Sequence, residues 1–162
     1  MSKYKYNSTK TYSHLGPVAY RQWRADSHCN QIHGYALSFH FEFGSNDLDA
    51  RNWVVDFGSL KPLKDLLEEW FDHTLLVAVD DPMHAELVNL GKLGLAKIVE
   101  VERTGCEGIS EFLYNYINDP KDGFLRHIGY GDRVWCTRVE VRETPSNMGF
   151  VAGDREDWKD VE

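Results

Sequence analysis

The hydrophobic pattern changes period partway along the chain, and that change restricts the fold more than any other feature. From His33 to Phe43 apolar and polar residues alternate. Leu37, Phe39, Phe41 and Phe43 fall on one face, Ser38, His40 and Glu42 on the other. A period of two is that of a strand with one buried face. From Leu60 to Phe71 the spacing is helical, with Leu60, Leu63, Leu66, Leu67, Trp70 and Phe71 on one stripe. Pro62 is tolerated in a first turn, and Ser59 is the expected cap. A second helix is expected from about Glu107 to Asn118, where Ile109, Phe112, Leu113, Tyr116 and Ile117 line up.

Arg133 to Glu143 reads as a strand, with Trp135, Val139 and Val141 opposite Arg138, Glu140 and Arg142. The Tyr- and Thr-rich stretch Lys3 to His14 reads as another strand, suited to pair antiparallel with His33 to Phe43. A loop from Gly16 to Asn30 would join those two, and a short strand is expected within Leu95 to Val101. Segregated strands and helices give an α+β class: a four-stranded antiparallel sheet with two helices on one face. The open edges of so small a sheet invite closure by oligomerisation.

At 162 residues the chain is one domain, expected over residues 1–152, followed by an acidic tail over 153–162 that reads as solvated. No apolar run is long enough to span a membrane, and the N-terminus lacks a signal core. Three cysteines, Cys29, Cys106 and Cys136, form no disulfide framework and suit a reducing, cytoplasmic setting. A net charge of -8 argues against a nucleic-acid partner, yet leaves room for a basic pocket holding a phosphorylated small molecule.

A few residues are placed for chemistry. His33 and Tyr35 share one face of a strand. His14 ends the preceding strand and would approach His33 if the two strands pair. Two converging imidazoles suit zinc, and equally suit a hydrogen-bonded pair. Cys29 lies four residues before His33, in the loop arching over that site, where a cationic setting would favour the thiolate. Asp72 and His73 follow the first helix as a carboxylate–imidazole pair fit for proton relay. Glu143 shares parity with Val139 and Val141, so a carboxylate closes an apolar face. A ligand with two parallel N–H donors, such as a pterin ring, would satisfy it.

Five segments then occur in a telling order: Tyr12-Ser13-His14-Leu15, Cys29-Asn30-Gln31-Ile32-His33-Gly34-Tyr35, Trp53 through Lys61, Phe71-Asp72-His73, and Glu143-Thr144-Pro145-Ser146. Together, over about residues 5–151, they resemble the 6-pyruvoyltetrahydropterin/6-carboxytetrahydropterin synthase family. The resemblance implies a tunnelling fold, with subunit sheets joined into a barrel, commonly a hexamer of two trimers with active sites between subunits. It implies Zn2+ on His14, His33 and Tyr35, a proton-transferring Cys29 working with Asp72 and His73, and a pterin anchor at Glu143 and Thr144. The implied substrate is 7,8-dihydroneopterin triphosphate. The implied endpoint is 6-carboxytetrahydropterin with release of acetaldehyde and triphosphate, on the queuosine and 7-deazaguanine branch. The pyruvoyl product and a non-catalytic pterin- or purine-binding oligomer are the alternatives.

Two positions depart from the family pattern. Tyr35 stands where the family has a histidine, and a phenol with a free pKa of about 10 is a poor zinc ligand. His28 is the nearest alternative donor, whereas His40 has the wrong parity. Val77 replaces an asparagine. Arg21, Arg24 and Lys61 are the candidate contacts for the triphosphate.

Overall fold

The computed structural model describes residues 3–160. In chain order the elements are β1 (Tyr6–Tyr12), β2 (Val18–Tyr20), β3 (His33–Tyr35), β4 (Ser38–Ser45), α1 (Lys61–Phe71), β5 (Thr74–Ala78), α2 (His84–Lys92), β6 (Lys97–Val101), α3 (Cys106–Asn118), α4 (Phe124–His127), β7 (Trp135–Arg142) and β8 (Met148–Ala152). They form two sheets. One is antiparallel with strand order β1-β4-β7-β8; the other is mixed, in the order β3-β2-β5-β6.

The alternating segment builds the antiparallel sheet. Tyr12 lies opposite Phe39 and Tyr6 opposite Ser45, so the two expected strands do pair. Phe39, Phe41 and Phe43 are fully buried, with Val139 and Val141 beside them on β7. Each such side chain contributes about 1.5–3 kcal/mol relative to exposure. α3 packs on β7 and β8 through Ile109, Leu113 and Ile117, while α1 buries Leu63, Leu67 and Phe71. The Trp70 ring joins the helices, 5.3 Å from Phe112 and 5.1 Å from Tyr116.

Thr137 is an extra residue in the β4–β7 ladder: Glu42 faces Arg138, whereas Phe43 faces Cys136. β8 pairs with β7 only from Arg138 to Arg142, so Cys136 has no strand on that side. Asn118, at the end of α3, fills the place. Its amide donates to the Cys136 carbonyl and its oxygen accepts the Cys136 N–H, both at 2.9 Å, in a buried setting. On the opposite face of the sheet, Glu140 is only 8% exposed and lies between two arginines. It accepts from Arg138 at 3.0 Å and from Arg142 at 2.7 Å.

Several expectations need correction. The run from His33 to Phe43 is not one strand: it parts at Ala36 and Leu37, and β3 joins the second sheet. The expected loop 16–30 contains β2, which pairs antiparallel with β3 and parallel with β5. Ser59 does not cap α1. Asp56 caps the preceding Phe57–Leu60 turn instead, accepting from the Gly58 N–H at 2.8 Å. The acidic stretch after Ala152 is anchored through residues 154–158, where Lys3 pairs with Asp154 at 3.2 Å and with Glu156. Arg155 donates to the carbonyls of Gly131 and Val134, and the Trp158 ring lies 6.0 Å from that of Trp135. Among the described residues, no helix is long and apolar enough to cross a membrane.

Candidate active site

The short pair β2–β3 sets three rings together. Tyr20 lies opposite His33 in the ladder, and Tyr35 is two residues further along β3, on the same face. Ring centroids are 5.7 Å apart for Tyr20 and His33, 5.8 Å for Tyr20 and Tyr35, and 5.3 Å for His33 and Tyr35. His33 keeps Nδ1 on the Gln31 carbonyl oxygen at 2.7 Å, which leaves Nε2 as its outward nitrogen.

Glu143 reaches this triangle from the other sheet. It follows the last residue of β7, and its Oε1 accepts a short hydrogen bond from the hydroxyl of fully buried Tyr20. The carboxylate that would be costly to bury alone is thus half satisfied, with Oε2 left over. Burial, then the bond to Glu143 and its charge, drive the Tyr20 hydroxyl far above the ordinary phenol range. Burial and the Glu143 charge also raise Tyr35, with smaller effects from Cys29 and Cys106. Cys106, the first residue of α3, is a buried thiol pushed up to about 12 by burial and then by Glu143.

Cys29 sits on the His28–Asn30 turn, half-exposed and within electrostatic reach of Tyr35. Its N–H donates to Ser27 Oγ at 3.3 Å, and its carbonyl accepts the Gln22 N–H at 2.9 Å, fixing the turn against the end of β2.

Asp72 and His73 end α1, joined by a 2.7 Å contact between Asp72 Oδ1 and His73 Nδ1. His73 adopts φ +54° and donates its N–H to Pro17 O at 2.7 Å. Gly16 allows the close approach: a Cβ there would lie 2.0 Å from Asp72 Oδ1, on a backbone with φ +57°. The exposed His73 ring, His14 and Tyr35 line one open groove. His14 also lines an adjoining cavity of about 530 Å³ with Glu143, Thr144, Ser38 and Arg142. Thr144 Oγ accepts the N–H groups of Ser146 and Asn147 in a tight turn.

The structure therefore gathers His33, Tyr35 and Glu143 around Tyr20, with Cys29 within electrostatic reach of Tyr35 and His73 on the same groove as Tyr35. It does not bring His14 against His33. β1 pairs with β4 rather than β3, and His14 follows β1 with φ +53°, its N–H on Ser38 Oγ. Among the described residues, no three His, Cys, Asp or Glu side chains stand close enough to hold a metal ion. The three cations expected for the triphosphate have partners: Arg21 with Asp81 at 2.8 Å, Arg24 with Asp80 at 2.8 Å, and Lys61 with Asp65 at 2.7 Å. Tyr20 and Cys106 escaped the sequence reading. The one available signal was the aromatic ending Val18-Ala19-Tyr20, too short to stand out from a loop.

The arrangement of two four-stranded sheets with helices packed on them is the fold shared with solved pterin synthases. 6-Pyruvoyl tetrahydropterin synthase from Plasmodium vivax superposes with a TM-score of 0.60 at 12% identity, covering 93% of this chain and 99% of that one. An uncharacterized protein from Wolinella succinogenes gives 0.77 at 20% identity, covering 92% and 98%. In sequence, the chain is 35% identical over 122 residues to 6-carboxy-5,6,7,8-tetrahydropterin synthase of Aquifex aeolicus, covering 74% of this chain and 72% of that protein. The model of the 6-pyruvoyl tetrahydropterin synthase family matches residues 16–154, and the chain belongs to that family. Its relatives are pterin-forming lyases.

Proposed function

We propose that the chain is a 6-carboxy-5,6,7,8-tetrahydropterin synthase, a carbon–carbon lyase. With one water consumed, it converts 7,8-dihydroneopterin triphosphate to 6-carboxytetrahydropterin, acetaldehyde and triphosphate on the queuosine and 7-deazaguanine branch. The observation carrying this reading is the 35% identity to the Aquifex aeolicus protein of that name. The cavity lined by Glu143, Thr144 and His14 supports it.

In this reading the Glu143 carboxylate accepts the paired N–H donors of the pterin ring, one on Oε2 and one on the second lone pair of Oε1, and Thr144 borders the ring. Cys29 takes a proton from the side-chain carbon next to the ring and returns it as the ring tautomerises. Asp72 holds His73 through Nδ1, leaving Nε2 to exchange protons with the departing side chain. The resemblance implies zinc, which would acidify the side-chain hydroxyls. One imidazole between two phenols does not fit that metal as a ligand set, so no step runs through it here.

A homo-oligomer, a hexamer of two trimers in the cytoplasm, belongs to the same proposal. The open edges at β1 and β8 and the exposed side chains of Trp53, Phe57, Met148 and Phe150 support it.

The phenols at Tyr20 and Tyr35 favour a second reading, a pterin-binding member without turnover. One assay separates the two. The purified protein is given dihydroneopterin triphosphate, and acetaldehyde is measured alongside pterin affinity. Acetaldehyde that disappears in Cys29→Ala, with affinity retained, supports the lyase; Glu143→Ala should chiefly weaken affinity. A Cys29→Ala variant turning over at the parent rate removes the thiol from the mechanism. Binding without any acetaldehyde leaves the second reading.

A further inference from the structure

The three rings on β2 and β3 have the spacing of a metal tripod but not its chemistry. Three imidazoles on one tetrahedral zinc ion, with Zn–N of about 2.0–2.1 Å, place their ring centroids roughly 5 Å apart. Tyr20, His33 and Tyr35 stand 5.3–5.8 Å apart in a closed triangle, with all three pairs in contact. Only His33 offers a nitrogen, and its Nδ1 is already on a backbone carbonyl in the manner of a metal-ligating histidine. The other two corners end in hydroxyls. The Tyr20 hydroxyl is committed to Glu143, donating to the carboxylate that would otherwise lie free beside the triangle. A phenol keeps its proton at neutral pH and donates where imidazole nitrogen accepts. No further His, Cys, Asp or Glu group among the described residues completes a three-ligand set.

We propose that the Tyr20–His33–Tyr35 triangle is a metal-independent site. Two phenolic hydroxyls occupy the places of two metal-binding nitrogens, and Tyr20 positions Glu143 for the ligand. Tyr20 fixes Oε1 and so sets the plane in which the carboxylate meets a forked N–H donor, through Oε2 and the second lone pair of Oε1. Tyr35 donates its hydroxyl to a hydroxyl or phosphate oxygen of what enters, and His33 Nε2 accepts from a hydroxyl. The ligand side of this inference rests on the pterin reading of the cavity; the metal side does not, and is tested without substrate.

The first measurement is zinc content by mass spectrometry after equilibration of the intact protein with excess zinc chloride and gel filtration. The parent protein should retain no stoichiometric zinc. The Tyr20→His/Tyr35→His double variant, which puts imidazole at all three corners, should retain about one zinc ion per chain. Far-ultraviolet circular dichroism checks that it is folded, and Tyr35→His alone serves if it is not, with a partial gain expected. Parent protein carrying stoichiometric zinc that is lost in His33→Ala would overturn the proposal. So would a folded double variant that takes none, since the triangle would then not have tripod geometry.

The second measurement is dihydroneopterin affinity. It should be unchanged by a strong chelator and weakened by about tenfold or more in Tyr20→Phe, the usual loss for a hydrogen bond to a charged group. Chelator-sensitive binding overturns metal independence. Tyr20→Phe binding at parent affinity removes the positioning role, whatever the fate of the lyase assay.

Discussion

Asn118 offers a direct test of how the helical layer is fastened to the central strand. Substituting leucine keeps the branched outline of the side chain and removes both ends of a paired contact. The amide–carbonyl and carbonyl–amide bonds to Cys136 are both 2.9 Å long and lie away from solvent. β8 does not extend to that residue, so no strand can take over. Each buried backbone group left without a partner costs about 1–3 kcal/mol, so the expected loss for the two is about 2–6 kcal/mol. That is a large share of the roughly 5–15 kcal/mol that stabilises a domain. The assay is urea unfolding followed by tryptophan fluorescence, since Trp135 is next in sequence to the affected residue. Asn118→Asp adds a pH control. It keeps an acceptor for the Cys136 N–H, loses the donor, and buries a carboxylate whose ionisation burial opposes. Its folded-state pKa is raised, so its stability deficit should widen as pH rises above the unfolded value and shrink in acid. A leucine variant that loses less than about 1 kcal/mol would show that water or a shifted β8 satisfies Cys136, and would refute the fastening.

Gly16→Ala should cut turnover at least tenfold by driving Asp72 off His73, because the added methyl meets the carboxylate on a left-handed backbone; parent-level kcat would mean that the pair is dispensable. Glu140 is pulled two ways: burial raises its pKa, while the bonds from Arg142 and Arg138 outweigh burial and hold it below the usual carboxylate range. Its contribution is therefore present above the unfolded value of about 4.3 and lost as pH falls through the lower folded value. Glu140→Gln should flatten the acid limb of a stability–pH curve, and an unchanged limb would place the acid sensitivity elsewhere.

What the sequence showed of the fold depended on how each element is buried. α1, α3, β4 and β7 bury one face, so their periods are visible in the residues. β5 is buried at every position, Thr74 through Ala78, and a strand covered on both sides has no alternation to read. β2 and β3 have three residues each, too few for any period. The site was legible in proportion. Glu143 stood out because a carboxylate ending an apolar face is chemically odd, and Asp72–His73 because the pair is adjacent. The sequence pattern points to His14 as the partner of His33, because a continuous strand from His33 to Phe43 would carry both into one ladder; in the ladder His33 faces Tyr20. The break at Ala36 and Leu37, two ordinary residues, sends His33 to another sheet and Tyr20 to its side.

That break has a mechanical consequence. β3 and β4 are consecutive lengths of one chain with two residues between them, yet they belong to different sheets, and the Tyr20–Glu143 bond spans the same seam from the far side. A covalent hinge at Ala36 and Leu37 and the Tyr20–Glu143 hydrogen bond both restrain one sheet from tilting against its neighbour. Substitutions that loosen packing well away from the groove should therefore blunt ligand recognition before any strand melts. The hydroxyl stretch of Tyr20 would be the earliest spectroscopic sign that the seam has opened.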